Sequence, residues 1–136
     1  MSQSTPVSVA QRFNPGGSQF PGMSQAIRCG DWIMVSGQVA VSNGRVIGAG
    51  DSVAQAQQCF DNLQHVLQEA GASLADIVNL RCYLTDKSAY VGYAEIKNHL
   101  FGALPPCSTT VVVRELMLPD LLMEVEATAW VGHRQE

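Results

Sequence analysis

The feature that most restricts the fold of this 136-residue chain is a strict alternation of side chains over residues 122–131. Alternation with a period of two is typical of a β-strand that buries one face. One row of this strand is entirely apolar, whereas the other places Glu124 and Glu126 among large apolar groups. The second row is too polar for a dry core and too apolar for full exposure. We therefore expect a sheet with one face in the core and the other at a subunit interface that contains a site.

Helical patterns and further strands precede this alternation. A helix is predicted from Ser52, where Gln55 completes a capping box, to a stop at Gly71. A second helix is predicted over residues 88–100. Strands are predicted as a pair over 26–41, then at 45–47, 78–84, 107–114 and 122–131. This order predicts an α/β (α+β) fold with two helices on one face of a mixed sheet.

The length allows one domain and excludes two independent cores. Residues 1–21 are rich in Gly, Pro, Ser and Gln and show no sustained period, which predicts an irregular N-terminal arm. Residues 22–132 are predicted to form the single domain, and residues 133–136 a short tail. Only 15% of the residues are charged while 46% are apolar, so neighbouring subunits are expected to cover part of the surface.

Charge and composition exclude several classes of function. The net charge of −4 and the absence of a Lys/Arg cluster argue against nucleic acid as a partner. The apolar runs are far shorter than the roughly 20 residues that span a bilayer. The first residues lack the features of a secretory signal, which predicts a cytoplasmic protein. The four cysteines are widely separated and show no metal-ligand spacing, so reduced thiols and no metal site are expected.

Several dispersed motifs resemble one known family. They include Ser36-Gly37-Gln38, residues 70–78, Tyr83-Leu84-Thr85-Asp86 and Glu124-Val125-Glu126-Ala127. In order and spacing, over residues 23–131, the chain resembles the Rid/YjgF family of reactive-intermediate deaminases. The resemblance implies a chorismate-mutase-like fold and a homotrimer with an inner β-barrel, outer helices and ligand sites between subunits. It also implies hydrolysis of small enamines or imines to 2-oxo acids and ammonia without a cofactor.

The resemblance assigns roles to individual residues. Glu124 corresponds to the glutamate that orients or activates water, and Ser36 and Gly37 correspond to a substrate-positioning segment. Three expected polar groups are missing from the substrate site. The family's carboxylate-binding arginine falls on Cys107, its tyrosine on Met23 and its asparagine on Ala94. Ser108, which directly follows Cys107, is a further candidate for substrate binding.

The chemistry of these residues leaves alternatives open. A thiol cannot reproduce the two parallel hydrogen bonds of a guanidinium, so Cys107 cannot replace the arginine. Cys107 is therefore either a nucleophile beside Glu124 or a small apolar filler. Glu124 is either a general base with a raised pKa or part of a structural ion pair across a subunit interface with Arg81 or Arg114. Ser36 either positions substrate or stabilises a turn. For Glu126 a structural role is favoured.

Two functions remain as hypotheses. The first is a cofactor-independent hydrolase or deaminase of a small enamine, imine or related C–N metabolite, with Glu124 and Cys107 as catalytic residues. The second is a homotrimer that binds a small metabolite without catalysis. RNA cleavage or inhibition of translation is disfavoured by the acidic balance of the chain.

Overall fold

The chain folds into a six-stranded mixed sheet that carries two helices on one face, as predicted. The computed structural model describes residues 9–15 and 20–133. Its elements are β1 (Gln11–Phe13), β2 (Ala26–Cys29), β3 (Trp32–Val39), β4 (Val41–Ser42), β5 (Arg45–Val46), α1 (Ser52–Glu69), β6 (Ile77–Leu84), α2 (Tyr90–Phe101), β7 (Cys107–Val112) and β8 (Met123–Trp130). The strand order in the sheet is β1-β2-β3-β8-β6-β7, and β4 pairs with β5 alone.

The central strand β8 separates the core from the second face of the sheet. It is antiparallel to β3 on one side and to β6 on the other, whereas β6 and β7 are parallel. Its apolar row is buried against the helices: Met123, Val125, Ala127 and Ala129. The alternation predicted for this strand is therefore confirmed. The sheet face away from the helices, which carries Trp32, Tyr83, Glu124 and Glu126, is called the open face below.

The capping of α1 differs from the prediction. Asp51 is the N-cap, and its side chain accepts a hydrogen bond at 3.0 Å from the backbone N–H of the third helical residue. The predicted capping box of Ser52 and Gln55 is therefore wrong. The buried Gln55 side chain instead donates to the backbone C=O of Asp120 at 2.8 Å and accepts from the N–H of Leu122 at 2.7 Å. These bonds attach α1 to the segment that leads into β8.

The ends of the two helices follow from local chemistry. Gly71 has a φ of 87°, which favours glycine, so the predicted stop of the first helix is confirmed. The second helix begins two residues later than predicted. The Asp86 carboxylate accepts a hydrogen bond from the Ser88 N–H at 2.8 Å, and Lys87–Ala89 forms a short 3₁₀ turn before α2.

Part of the predicted N-terminal arm is a strand. Residues Gln11–Phe13 form β1, which pairs antiparallel with β2 at the edge of the sheet. The prediction of an irregular arm over residues 1–21 is therefore wrong for residues 11–13. Backbone pairing with β2 needs no sustained side-chain period, so the sequence pattern did not indicate this strand. Residues 1–8 and 16–19 of the predicted arm, and 134–136 of the predicted tail, lie outside the described residues.

Candidate functional site

A β-bulge shapes the open face beside β8. Val35 pairs with Ala127 and Gln38 pairs with Val125, so Ser36 and Gly37 together oppose a single residue of β8. A bulge of this kind bends the strand and re-aims its side chains, and bulges are frequent beside functional sites. The Ser-Gly segment that carries the family resemblance is thus the irregular point of an otherwise regular strand.

The carboxylate of Glu124 lies directly over Gly37. A Cβ atom placed on Gly37 would overlap with Oε2 of Glu124, and Cγ and Cδ of Glu124 would each lie 2.8 Å from it. Only glycine therefore permits this position of the carboxylate. The Glu124 side chain is half-buried on the open face. The contact between a bulge glycine and a strand glutamate defines the candidate site.

The surroundings of Glu124 favour its protonated form. Burial raises the pKa of this carboxyl above its ordinary value, and the nearby Glu126 raises it further. Among the described residues, Glu124 forms no ion pair with a cation of its own chain. The predicted alternative, a pair with Arg81 or Arg114 across a subunit interface, stays a prediction. A carboxylate with a raised pKa is a stronger base than an ordinary one, which suits proton transfer near neutral pH.

The raised pKa of Glu124 makes stability depend on pH. The folded chain keeps this proton to a higher pH than the unfolded chain, so the free energy of unfolding falls as pH rises from about 4.3, the ordinary glutamate pKa, through the folded value. Glu124→Gln, which does not ionise, is expected to raise Tm at about pH 7 and to change it little at about pH 4. Thermal unfolding of both proteins at the two pH values measures the difference. An equal gain in Tm at both pH values would mean that the raised pKa of Glu124 is not the cause.

Glu126 is held by a neighbouring strand. The Tyr83 hydroxyl on β6 donates a hydrogen bond to Oε1 of Glu126, and this bond raises the pKa of Tyr83. The Tyr83–Glu126 bond crosses two paired strands and keeps a second negative charge close to Glu124. The structural role favoured for Glu126 fits this contact, and Glu126 also acts electrostatically on Glu124.

Ser36 is engaged with the loop that precedes β2. Its hydroxyl donates to the backbone C=O of Ser24 at 2.6 Å, and its N–H donates to the C=O of Gln25 at 2.9 Å. The Gln38 side chain donates to Oε1 of Gln25 at 2.8 Å. These bonds fit the turn-stabilising role, which is one of the two roles predicted for Ser36. They also place Met23, an exposed residue of the same loop, near the bulge.

One chain does not bring Cys107 and Glu124 together. Tyr83 pairs with Glu124 on one side and with Val111 on the other, and Val111 lies four residues beyond Cys107. At about 3.3 Å per residue and about 4.8 Å per strand, the offset is roughly 16 Å. Within one subunit, parallel pairing with β6 thus keeps the start of β7 far from Glu124. The predicted nucleophile beside Glu124 belongs to a site between subunits, so it stays a prediction.

The other two predicted binding residues lie on the helix side of the sheet. Ala94 is on α2, and Ser108 pairs with the buried Leu80 of β6, so both are on the opposite side from Glu124. Within one chain the structure therefore groups Ser36, Gly37 and Glu124, and it does not add Ala94 or Ser108 to them.

Cys107 instead lines a cavity of about 450 Å³ at the other end of the sheet, with Pro106 and Trp130 among its walls. The same cavity contains a pair that sequence reasoning did not find: Nε2 of His133 lies 3.1 Å from Oδ1 of the buried Asp76. No sequence signal connects residues so far apart, because only the antiparallel pairing of β6 and β8 brings them together.

The four thiols differ in accessibility. Cys107 is exposed, whereas Cys59 and Cys82 are buried, and burial raises the pKa of Cys82 to about 12 and also raises that of Cys59. Since the thiolate is the reactive form, brief treatment of the folded protein with iodoacetamide is expected to alkylate Cys107 at least about tenfold faster than the two buried thiols. Peptide mass spectrometry measures the rates, with the unfolded chain as control. Comparable rates in the folded protein would contradict the expected burial.

Comparisons with known proteins agree on one family. The family model described as Endoribonuclease L-PSP matches residues 19–131. A RutC family protein of Pyrococcus abyssi is 36% identical over 109 residues, which cover 79% of this chain and 84% of the relative. The crystal structure of Rv2704 from Mycobacterium tuberculosis, a member of the YjgF/YER057c/UK114 family, is 32% identical and has a TM-score of 0.79 over 90% of this chain and 100% of that chain. The Rid family protein YyfA of Yersinia pestis is 26% identical, with a TM-score of 0.83 and the same coverage.

The sheet with both helices on one face therefore defines an α+β protein of the YjgF/L-PSP structural class. The chain belongs to the YjgF/Rid family, which confirms the resemblance carried by its motifs. Neither helix of the described residues is long and apolar enough to cross a membrane.

Proposed function

We propose that this protein hydrolyses the C–N bond of a small enamine or imine without a cofactor, with Glu124 as the residue that moves protons to and from water. The observation that carries this proposal is the Glu124 carboxylate held over Gly37, half-buried and without a cation partner among the described residues. A cytoplasmic location remains a prediction from the sequence.

The proposed reaction balances without any other reactant. Water adds to the carbon of the C=N bond, Glu124 accepts a proton from this water, and the nitrogen gains a proton as the π bond breaks. The resulting carbinolamine then loses ammonia as its C–N bond breaks and a C=O bond forms. One water is consumed, one ammonia is released, and no atom needs an external oxidant or reductant. A general base of raised pKa suits both proton transfers.

The open face supports a site that is shared between subunits of a homotrimer. Its apolar side chains are unusually exposed for a single chain: Trp32 is 49% exposed, Met34 48% and Val111 43%. Apolar surface of this kind is normally covered by a partner. Three copies meeting through their open faces would cover it, and the start of β7 in one subunit could then approach Glu124 of the next. Cys107 would enter the site only in this way.

The second candidate is a homotrimer that binds a metabolite without turnover. It is favoured by the residues at the three positions that hold the substrate in the related deaminases, since Met23, Ala94 and Cys107 offer no charged group for a carboxylate. RNA cleavage has less support, although the family description names an endoribonuclease. A net charge of −4 gives little attraction for phosphates.

The test is the release of ammonia and the loss of trappable imine when pure protein meets freshly generated 2-imino acids of several side-chain sizes. Acceleration over the protein-free reaction that is absent in Glu124→Ala would support hydrolysis. No acceleration with any of them would favour the binding protein. The same assay is applied to the alkylated protein and to Cys107→Ser. Unchanged turnover in both would mean that Cys107 is a filler and not a nucleophile.

A further inference from the structure

A buried carboxylate orients a histidine at the end of the sheet away from Glu124. Nε2 of His133 lies 3.1 Å from Oδ1 of Asp76, and the Asp76 side chain is 2% exposed, whereas that of His133 is 51% exposed. The other carboxylate oxygen, Oδ2, accepts a hydrogen bond at 2.9 Å from the backbone N–H of Ser73. The Asp76 carboxylate is therefore fixed on one side and presents its other oxygen to the imidazole.

The imidazole is also held by the last residue of β8. The ring centroids of His133 and Trp130 are 5.7 Å apart. Gly132 lies between them in the sequence, and a Cβ atom on it would lie 2.4 Å from Cζ2 of Trp130. Only glycine therefore permits the turn that returns the chain to the Trp130 ring. The carboxylate and the ring together restrict a side chain that is half in solvent.

The geometry of this pair determines which nitrogen of His133 can act as a base. In the neutral imidazole an N–H at Nε2 donates to Oδ1 of Asp76, so the free lone pair is on Nδ1. A carboxylate in this position keeps the imidazole in one tautomer and stabilises the imidazolium that forms when the other nitrogen accepts a proton. His133 is thus placed as a general base, with Asp76 as its positioning residue.

A nucleophile lines the same cavity as the His133–Asp76 pair. Cys107 is exposed at the start of β7, and its cavity of about 450 Å³ also contains both members of the pair. Thiols are intrinsically very nucleophilic, even with only a small fraction of thiolate near pH 7. A nucleophile, a base and a group that orients the base are the three parts of a covalent acyl-transfer site. The other lining side chains are apolar, Leu104, Pro106 and Trp130 among them, which suits a short hydrocarbon group.

We propose that Cys107, His133 and Asp76 form a second site, which hydrolyses small esters and thioesters of short apolar acids. The Cys107 sulfur attacks the acyl carbon, the bond from this carbon to the leaving oxygen or sulfur breaks, and the thiol proton departs with the leaving alcohol or thiol. Nδ1 of His133 then takes a proton from a water that attacks the acyl-cysteine. The C–S bond breaks, the acid is released, and this proton returns to the Cys107 sulfur. One water is consumed, and no atom is oxidised or reduced.

The experiment measures the release of p-nitrophenolate from p-nitrophenyl butyrate by the full chain. The wild type is expected to accelerate this release over protein-free buffer, and Cys107→Ala should remove the acceleration. His133→Gln should lower the steady rate by about 10²- to 10⁴-fold, the usual contribution of a general base. Because its acyl-cysteine is no longer hydrolysed, this variant should release about one p-nitrophenolate per chain and accumulate a butyryl group on Cys107. Peptide mass spectrometry locates that group.

Asp76→Asn separates positioning from folding. It should slow the hydrolysis of the acyl-cysteine by about tenfold or more, since the imidazole is no longer held in one tautomer, and leave the acylation of Cys107 unchanged. A merely structural role would slow both steps together.

Cys29→Ala and His65→Gln are the matched controls, because each removes a side chain of the same kind outside the cavity. Both should retain the rate of the wild type. Three results would overturn the proposal: no acceleration by the wild type, an unchanged rate in Cys107→Ala, or an unchanged rate in His133→Gln without an acylated Cys107. Neither step uses Glu124, so the result of this assay and that of the imine assay are independent.

Discussion

Glu124→Gln is expected to lower the rate of imine hydrolysis by about 10²- to 10⁴-fold, the usual contribution of a positioned general acid or base. The substitution keeps the size of the side chain and its position over Gly37, so the shape of the site is retained. It removes only the ability to accept a proton from water. Ammonia release under single-turnover conditions measures the chemical step directly, apart from the release of product.

Glu126→Gln is the matched control for this variant. It makes the same change of charge two residues along β8, on a side chain that is bonded to Tyr83 rather than placed over the bulge. Most of the activity should remain. Because Glu126 contributes to the raised pKa of Glu124, the acidic limb of the pH–rate profile should move to lower pH. Equal losses in both variants would argue against a special role for Glu124.

Gly37→Ala is expected to abolish activity nearly as completely as the loss of the Glu124 carboxylate. The added methyl group would overlap with that carboxylate, which would have to leave its position over the bulge. Overpacking of this kind typically costs about 1–3 kcal/mol of stability. The turnover rate and the free energy of unfolding in urea are the two measurements. Ser36→Ala, in the same bulge, is the control and should retain more activity, because its hydroxyl bonds the Ser24 carbonyl.

The double variant Gly37→Ala/Glu124→Gln tests whether the two residues act through one contact. If the alanine acts only by displacing the carboxylate, turnover in the double variant should equal that of Glu124→Gln alone, while stability still falls. Rate losses that multiply would mean that Gly37 serves the reaction in some other way, such as close approach of its backbone to the substrate.

These variants connect stability with function. The burial that raises the pKa of Glu124 disfavours its charged form, so the folded protein is less stable at neutral pH than it would be with an uncharged side chain. Glu124→Gln is expected to be more stable and inactive. Such opposition between stability and activity is common where a site keeps an unpaired charge out of water.

The sequence alone determined the fold class, because the fold depends on periodic patterns that each element carries by itself. The alternation around β8 predicted which row is buried, and the apolar stripe of α1 and Gly71 predicted that helix and its end. The dispersed motifs predicted the family, and they singled out Gly37 and Glu124 as site residues.

Only the tertiary structure decided how these residues meet, since contacts between distant segments leave no periodic signal. The bulge places Gly37 under Glu124, and the parallel pairing of β6 with β7 separates Cys107 from both. Gln55 had the right spacing for a capping box, yet its side chain bonds buried backbone groups of the segment before β8. If those backbone groups were buried without hydrogen bonds, the cost would exceed what the capping box contributes. Local pattern therefore determined the elements, whereas packing between elements decided the site.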